Sequence, residues 1–288
     1  MIISLLLSYS FLNAQTTPFK SVEWLQENLD REDLVILHVG PEDAYLEKHI
    51  PGAHLVGSRN YTFTSDDETQ VYDLPPVENL VAFLESKGVD NGDTIIIYAG
   101  TNGISPTTRL YFTLDYLGYS NNTFYLDGGL PLWEHEGGQT TSEIPKTPKG
   151  SFIPKANPGL VVPISFVKEN LSNESLNIVD ARSPVYYEGI QESMGSKGHI
   201  PGAKTIPYTS IVNEGPNGSY ILKSKDQIQK IFDEQGLDKN TPIIVYCHIG
   251  QQATLVYFAT KILGYNARLF DGSMHAWGHD SNNPLEVN

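Results

Sequence analysis

Ile243-Ile244-Val245-Tyr246-Cys247-His248-Ile249-Gly250-Gln251-Gln252 runs directly into Ala253-Thr254-Leu255-Val256-Tyr257-Phe258-Ala259-Thr260-Lys261-Ile262-Leu263-Gly264. The first four residues are continuous apolar and largely β-branched, as expected of a strand covered on both faces. From Ala253 the pattern changes: Leu255, Phe258, Ala259 and Ile262 recur at helical spacing, and Gly264 suits the position just past a helix end. Strand, short loop and helix in this order predict one unit of a parallel sheet. The loop then lies at the carboxyl edge of the strands, where ligand sites form in such folds.

Working outward, the same grammar is written twice. His49-Ile50-Pro51-Gly52-Ala53 recurs as His199-Ile200-Pro201-Gly202-Ala203. Ile95-Ile96-Ile97-Tyr98 answers Ile243-Ile244-Val245-Tyr246, Leu117-Gly118-Tyr119 answers Leu263-Gly264-Tyr265, and Asp127-Gly128 with Trp133 answers Asp271-Gly272 with Trp277. The order is kept while the offset drifts between 142 and 150 residues, as loop insertions would cause. A period this long marks a duplicated domain rather than a solenoid. Each half alternates strand and helix patterns, and Ser224-Lys225-Asp226-Gln227 carries a capping box ahead of Ile228, Ile231 and Phe232. The predicted fold is α/β: two similar domains, residues 18–138 and 161–288, each a mostly parallel sheet flanked by helices. Residues 139–160, with Pro145, Pro148, Pro154 and Pro158, read as a semi-rigid extended linker.

The 288 residues suit two domains of ordinary size. Hydrophobic residues at 40%, with 16 Tyr and 11 Phe, argue against wholesale disorder. A formal charge of −15 argues against sequence-independent nucleic-acid binding, which needs a basic footprint. Residues 2–12 are an apolar run too short to span a bilayer. With Asn13-Ala14-Gln15 behind it, the run reads as a signal peptide over residues 1–14, although no Lys or Arg precedes it. A periplasmic or secreted protein, with no membrane segment in its mature form, is the expectation.

Cys247 is the only cysteine, which excludes an intrachain disulfide and a zinc site built from several thiolates. Its place between strand and helix lets the loop amides and the helix N-terminus face the sulfur and favour a thiolate. Gly250 permits a tight loop. A phosphatase of the Cys-x5-Arg type fails because the sixth residue after Cys247 is Ala253. The adjacent His248 is poorly placed to serve as a protease-like base, and a dithiol mechanism lacks its second thiol. Transfer of one sulfur atom through a single thiolate, with no cofactor and no metal, remains.

Val179-Asp180-Ala181-Arg182-Ser183-Pro184, Gly198-His199-Ile200-Pro201-Gly202-Ala203, Val245-Tyr246-Cys247-His248-Ile249-Gly250 and Asp271-Gly272-Ser273-Met274-His275-Ala276-Trp277 together resemble the tandem-domain rhodanese family, the thiosulfate/3-mercaptopyruvate sulfurtransferases. The resemblance implies a catalytic C-terminal domain with Cys247 as persulfide carrier, fed by a small anionic sulfur donor and emptied by cyanide or a thiol acceptor. It implies that His248, Ile249, Gly250, Gln251, Gln252 and Ala253 form the substrate-binding loop, supported by Asp180, Arg182 and Trp277. The first half carries Ala99 at the cysteine position, with His38 and Gly40 where the second half has Asp180 and Arg182. That half is expected to be non-catalytic and to pack over the cleft. A non-turnover persulfide carrier or sulfide sensor is the alternative function.

The loop departs from thiosulfate-using members in having no Lys or Arg, and Tyr186 or Tyr187 stands near a family substrate-binding arginine. It also lacks the Gly-Ser-Gly form of mercaptopyruvate enzymes, which favours thiosulfate. Arg182 and Asp180 are read as bracing the loop, and Trp277 as either lining the cleft or packing as Trp133 would. His49 and His199, shared by both halves, read as structural turn residues. His275 and His279 have metal-ligand spacing without a third ligand and read as solvated or packing residues.

Overall fold

A computed structural model describes residues 17–101 and 103–287; the expected signal peptide lies outside them. The first half contains strands β1 (Phe19–Lys20), β2 (Leu34–Val39), β3 (Ala53–Val56), β4 (Thr94–Ala99) and β5 (Thr123–Leu126). They pair in parallel in the order β1-β5-β4-β2-β3. Its helices are α1 (Val22–Asn28), α2 (Glu42–Glu47), α3 (Val77–Ser86), α4 (Ile104–Tyr116) and α5 (Gly129–His135). The second half contains β6 (Asn177–Asp180), β7 (Lys204–Thr205), a hairpin of β8 (Val212–Glu214) and β9 (Tyr220–Leu222), then β10 (Ile243–Tyr246) and β11 (Ala267–Leu269). Its parallel sheet runs β11-β10-β6-β7, and all four residues of the central β10 are buried, as its apolar run predicts. The helices are α6 (Ile164–Glu169), α7 (Pro184–Tyr187), α8 (Lys225–Glu234), α9 (Ala253–Leu263) and α10 (Ser273–Gly278). The capping box forms at Ser224 and Gln227, and Gly264 closes α9 with φ +80°. Among the described residues, no helix is long and apolar enough to cross a membrane.

Helix α9 is buried well beyond the face marked by Leu255, Phe258, Ala259 and Ile262. Every residue of it except Lys261 is buried, because one face covers its own sheet while the other packs on α4 of the first half. A helix covered all round needs no polar stripe. The offset of 146 residues between Leu117-Gly118-Tyr119 and Leu263-Gly264-Tyr265 makes Tyr111 and Tyr257 equivalents, and likewise Phe112 and Phe258. Across the seam Tyr111 meets Phe258 edge-on at 4.7 Å and Phe112 meets Tyr257 at 4.9 Å. Thr108 Oγ1 meets its own equivalent, Thr254 Oγ1, at 3.0 Å. Asp271 accepts the Leu74 amide at 3.0 Å, and its equivalent Asp127 accepts the Leu222 amide at 2.9 Å. Residue i meets j while j meets i, so the halves dock as an internal, approximately twofold dimer. Each fully buried aromatic ring contributes roughly 2–3 kcal/mol of burial.

Residues 139–160 are extended but not a free spacer. Thr141 bridges His49, the Gly150 amide donates to Glu85 O, Ile153 donates to Asn91 Oδ1, and Lys155 donates to Leu117 O. Phe152 is buried against Tyr119. The strap satisfies its backbone groups on the first domain before Val161 joins β11.

Candidate active site

Strand β10 delivers Cys247 to the carboxyl edge of the sheet, and α9 starts six residues later. The cysteine is fully buried. The backbone N–H groups of Ala253, Ile249 and Gln252 lie on the sulfur's side of the loop and favour its thiolate. Burial pushes the thiol pKa up; the three amides pull it down, and burial is the larger effect. The amide convergence expected from the loop is present, but the net direction is upward, because an apolar strand end removes the sulfur from water.

Ser273 organises the loop from below. Its Oγ accepts from Cys247 N at 3.1 Å and Gly250 N at 3.0 Å and donates to Phe270 O. Ser273 itself adopts φ +49°, unusual for a residue with a side chain. Gly250 has φ +76°, and a Cβ there would lie 2.5 Å from Asp271 Oδ1, so both the turn and the packing require glycine. Beside Gly250, Asp271 pairs with Arg109, which reaches across from α4 of the first half. Arg109 also donates to Gly250 O at 3.3 Å and to Tyr72 O at 2.7 Å.

Behind the loop, Arg182 and Asp180 form a fully buried pair with contacts of 2.6–3.0 Å, and Arg182 donates a further bond to Gly198 O. Both groups act electrostatically on the cysteine. The Arg182 Nη1 has no hydrogen-bond partner among the described residues. At the mouth, His248 Nδ1 lies 2.8 Å from Ser193 Oγ and its ring meets the Tyr186 edge. Burial lowers its pKa to about 4, so the ring is neutral near pH 7. Gln251 and Gln252 face a seam cavity of about 290 Å³ bounded by Ser105, Pro106, Tyr208 and Tyr220.

The first half repeats the frame without the cysteine. The Tyr98 hydroxyl accepts from Ile50 N and lies 2.9 Å from His38 Nδ1, while in the second half the Tyr246 hydroxyl accepts from Ile200 N and stands close to Asp180. The His38 ring fills the space beside Gly40 and Gly100, and a Cβ at Gly100 would overlap it.

A rhodanese-like domain model matches residues 21–136 and 164–280. The chain is 31% identical over 281 residues to a putative thiosulfate sulfurtransferase of Synechococcus elongatus, covering 94% of this chain and 86% of that protein. It is 30% identical over 275 residues to the sulfur carrier protein TtuD of Thermus thermophilus, covering 90% and 93%. The crystal structure of SseA from Escherichia coli, a 3-mercaptopyruvate sulfotransferase with the rhodanese fold, superposes with a TM-score of 0.77 at 29% identity, covering 90% of this chain and 99% of that one. The chain belongs to the tandem-domain rhodanese family of sulfurtransferases.

Within this rhodanese frame, Cys247, His248, Ile249, Gly250, Gln251 and Gln252 form one loop that runs into Ala253 at the start of α9, and Asp180 and Arg182 stand behind it. Trp277 does not join them. It is fully buried and donates from Nε1 to Pro284 O at 3.0 Å, as Trp133 donates to Gln139 O at 2.8 Å. His49 and His199 occupy matching sites, each stacked on a tyrosine and donating from Nδ1 to that tyrosine's carbonyl. His275 donates to Glu68 O. Among the described residues, no cluster of three or more His, Cys, Asp or Glu is placed to hold a metal. Sequence reasoning did not single out Arg109, Ser273 or Ser193. Arg109 lies in the half without the nucleophile, and only the docking of the halves brings it to the loop.

Proposed function

We propose that Cys247 is the nucleophile and carries the transferred sulfur as a persulfide, with thiosulfate favoured over 3-mercaptopyruvate as donor. The observation that carries this reading is the place of the buried Cys247 between β10 and α9, in a loop pinned by Ser273 whose amides favour a thiolate. The thiolate attacks the outer sulfur of thiosulfate. A Cys–S–S bond forms, the donor S–S bond breaks, and its electron pair leaves on sulfite. Cyanide or an acceptor thiolate then takes the outer sulfur and the electron pair returns to Cys247. The amides that hold the thiolate also suit the terminal persulfide anion.

The preference for thiosulfate rests on the site's charges. The arginines near the loop are buried in pairs with Asp180 and Asp271, and among the described residues no arginine stands at the mouth to grip a carboxylate. The Arg182 Nη1 remains to attract a small dianion. Replacing Cys247 with Ser should abolish thiocyanate formation from every donor, and comparing the two donors in steady state tests the preference.

A second reading, a persulfide carrier that does not turn over, draws support from the complete burial of Cys247 and the name of the Thermus relative. A mass gain of one sulfur on Cys247 without sulfite release in multiple turnovers would favour it. The apolar run at residues 2–12 supports export, which cell fractionation and N-terminal sequencing of the recovered protein would test.

A further inference from the structure

We infer that Arg109, supplied by the domain that lacks a nucleophile, is a positioning residue for the Cys247 loop. The inference rests on the proposed role of Cys247.

Three observations carry it. The Gly250 peptide is pinned at both ends: its N–H donates to Ser273 Oγ at 3.0 Å, and its carbonyl accepts from Arg109 Nη1 at 3.3 Å. The amides of Ile249 and Gln252, on either side of that residue, are among those that favour the thiolate, so fixing Gly250 fixes their aim. Arg109 is itself fully buried and held by both oxygens of Asp271 and by Tyr72 O, which leaves it one geometry.

The broken symmetry of the seam separates positioning from docking. The crossed Tyr–Phe pairs and the Asp–Leu amide bonds occur in both copies, as an interface made only for adhesion would have them. Arg109 does not: its equivalent is Leu255, and Asp127, the equivalent of Asp271, forms no ion pair among the described residues. The arginine is present only on the side that has the cysteine. It is also an expensive way to dock, because a buried ion pair loses hydration and the Arg109 Nε is left without a partner.

The test uses the full chain with Arg109→Leu, which installs the residue of the other half, and Arg109→Lys. Asp115→Asn serves as control, since it weakens the seam at Tyr257 and Lys261 away from the loop. The readouts are the pH dependence of Cys247 alkylation by iodoacetamide, kcat and KM with thiosulfate and cyanide, and urea unfolding. Arg109→Leu should move the alkylation midpoint up by about one pH unit and lower kcat about 10- to 100-fold, with a smaller change in KM. Arg109→Lys should recover part of both, and Asp115→Asn should lose stability without moving the midpoint. Should Arg109→Leu fail to fold, Arg109→Lys still reads the loop, because lysine cannot reproduce the forked contacts. An unchanged midpoint and kcat in the folded Arg109 variants, whatever their stability, overturns the inference. Turnover retained by Cys247→Ser would instead overturn the nucleophile assignment, and the alkylation profile would still report on Arg109.

Discussion

Arg109 on helix α4 and Asp271 beside the Cys247 loop form a buried ion pair that joins the two halves of the chain. The carboxylate also takes the Leu74 amide, so both its oxygens are used across the seam. Removing one member of such a pair strands the other in a dry site. Asp271→Ala should therefore destabilise the full chain by about 3 kcal/mol or more in urea unfolding. A loss below about 1 kcal/mol would mean that Arg109 finds water or another acceptor.

The equivalent carboxylate, Asp127, has no such cation, and burial raises its pKa from 3.8 to about 6. The folded state then holds the proton more tightly than the unfolded chain. The carboxyl costs nothing below its unfolded value; the cost grows as pH rises and is complete above about 6. Asp127→Asn keeps an oxygen for the Leu222 amide and should stabilise the protein by about 1–3 kcal/mol at pH 8 but by little at pH 4. Equal effects at the two pH values would contradict this account.

Burial raises the Cys247 thiol, so its reactivity should increase with pH through a midpoint above that of a free thiol. His248, lowered to about 4, stays neutral over pH 5–8 and supplies no imidazolium to stabilise the thiolate. Iodoacetamide labelling across pH 5–10 should show one rise, with no inflection near 6.5. A step at that pH would reveal a titrating histidine coupled to the sulfur.

Ten of the eleven residues of α9 are buried, several of them only because α4 covers them. Expressed alone, residues 161–288 would present Tyr257, Phe258 and Thr254 to water and would lose Arg109. This fragment should aggregate or show at least about 100-fold lower sulfurtransferase activity. A monomeric fragment with full turnover, read by size exclusion and thiocyanate formation, would show that the first half is dispensable.

Much of the site was readable because it is local. A β-branched run followed by Cys247, Gly250 and a helical pattern places a thiol under loop amides by backbone geometry alone. Repetition also exposed structural residues: His49 and His199 recur, and both stack on a tyrosine. Trp277 stayed ambiguous, because a large aromatic near a loop suits a cleft wall or a core equally well. Its burial and its bond to Pro284 O decide for the core. The missing basic residues of the loop were a real absence in the sequence, but not in space: Arg182 stands behind the sulfur and Arg109 arrives from the other half.

By itself, the sequence determined the duplication, the α/β class, the one cysteine and the half that holds it. These depend on periodicity, turn residues and residue identity, which act over a few neighbours. The tertiary structure alone decided that the two halves dock as an approximate twofold dimer. It also decided that α9 is covered on two faces and that an arginine of the half without a cysteine reaches the Cys247 loop. Those facts depend on contacts between residues 95 or more positions apart, as with Asp127 and Leu222 or Arg109 and Gly250, and no local pattern encodes which side chains a docked surface brings together.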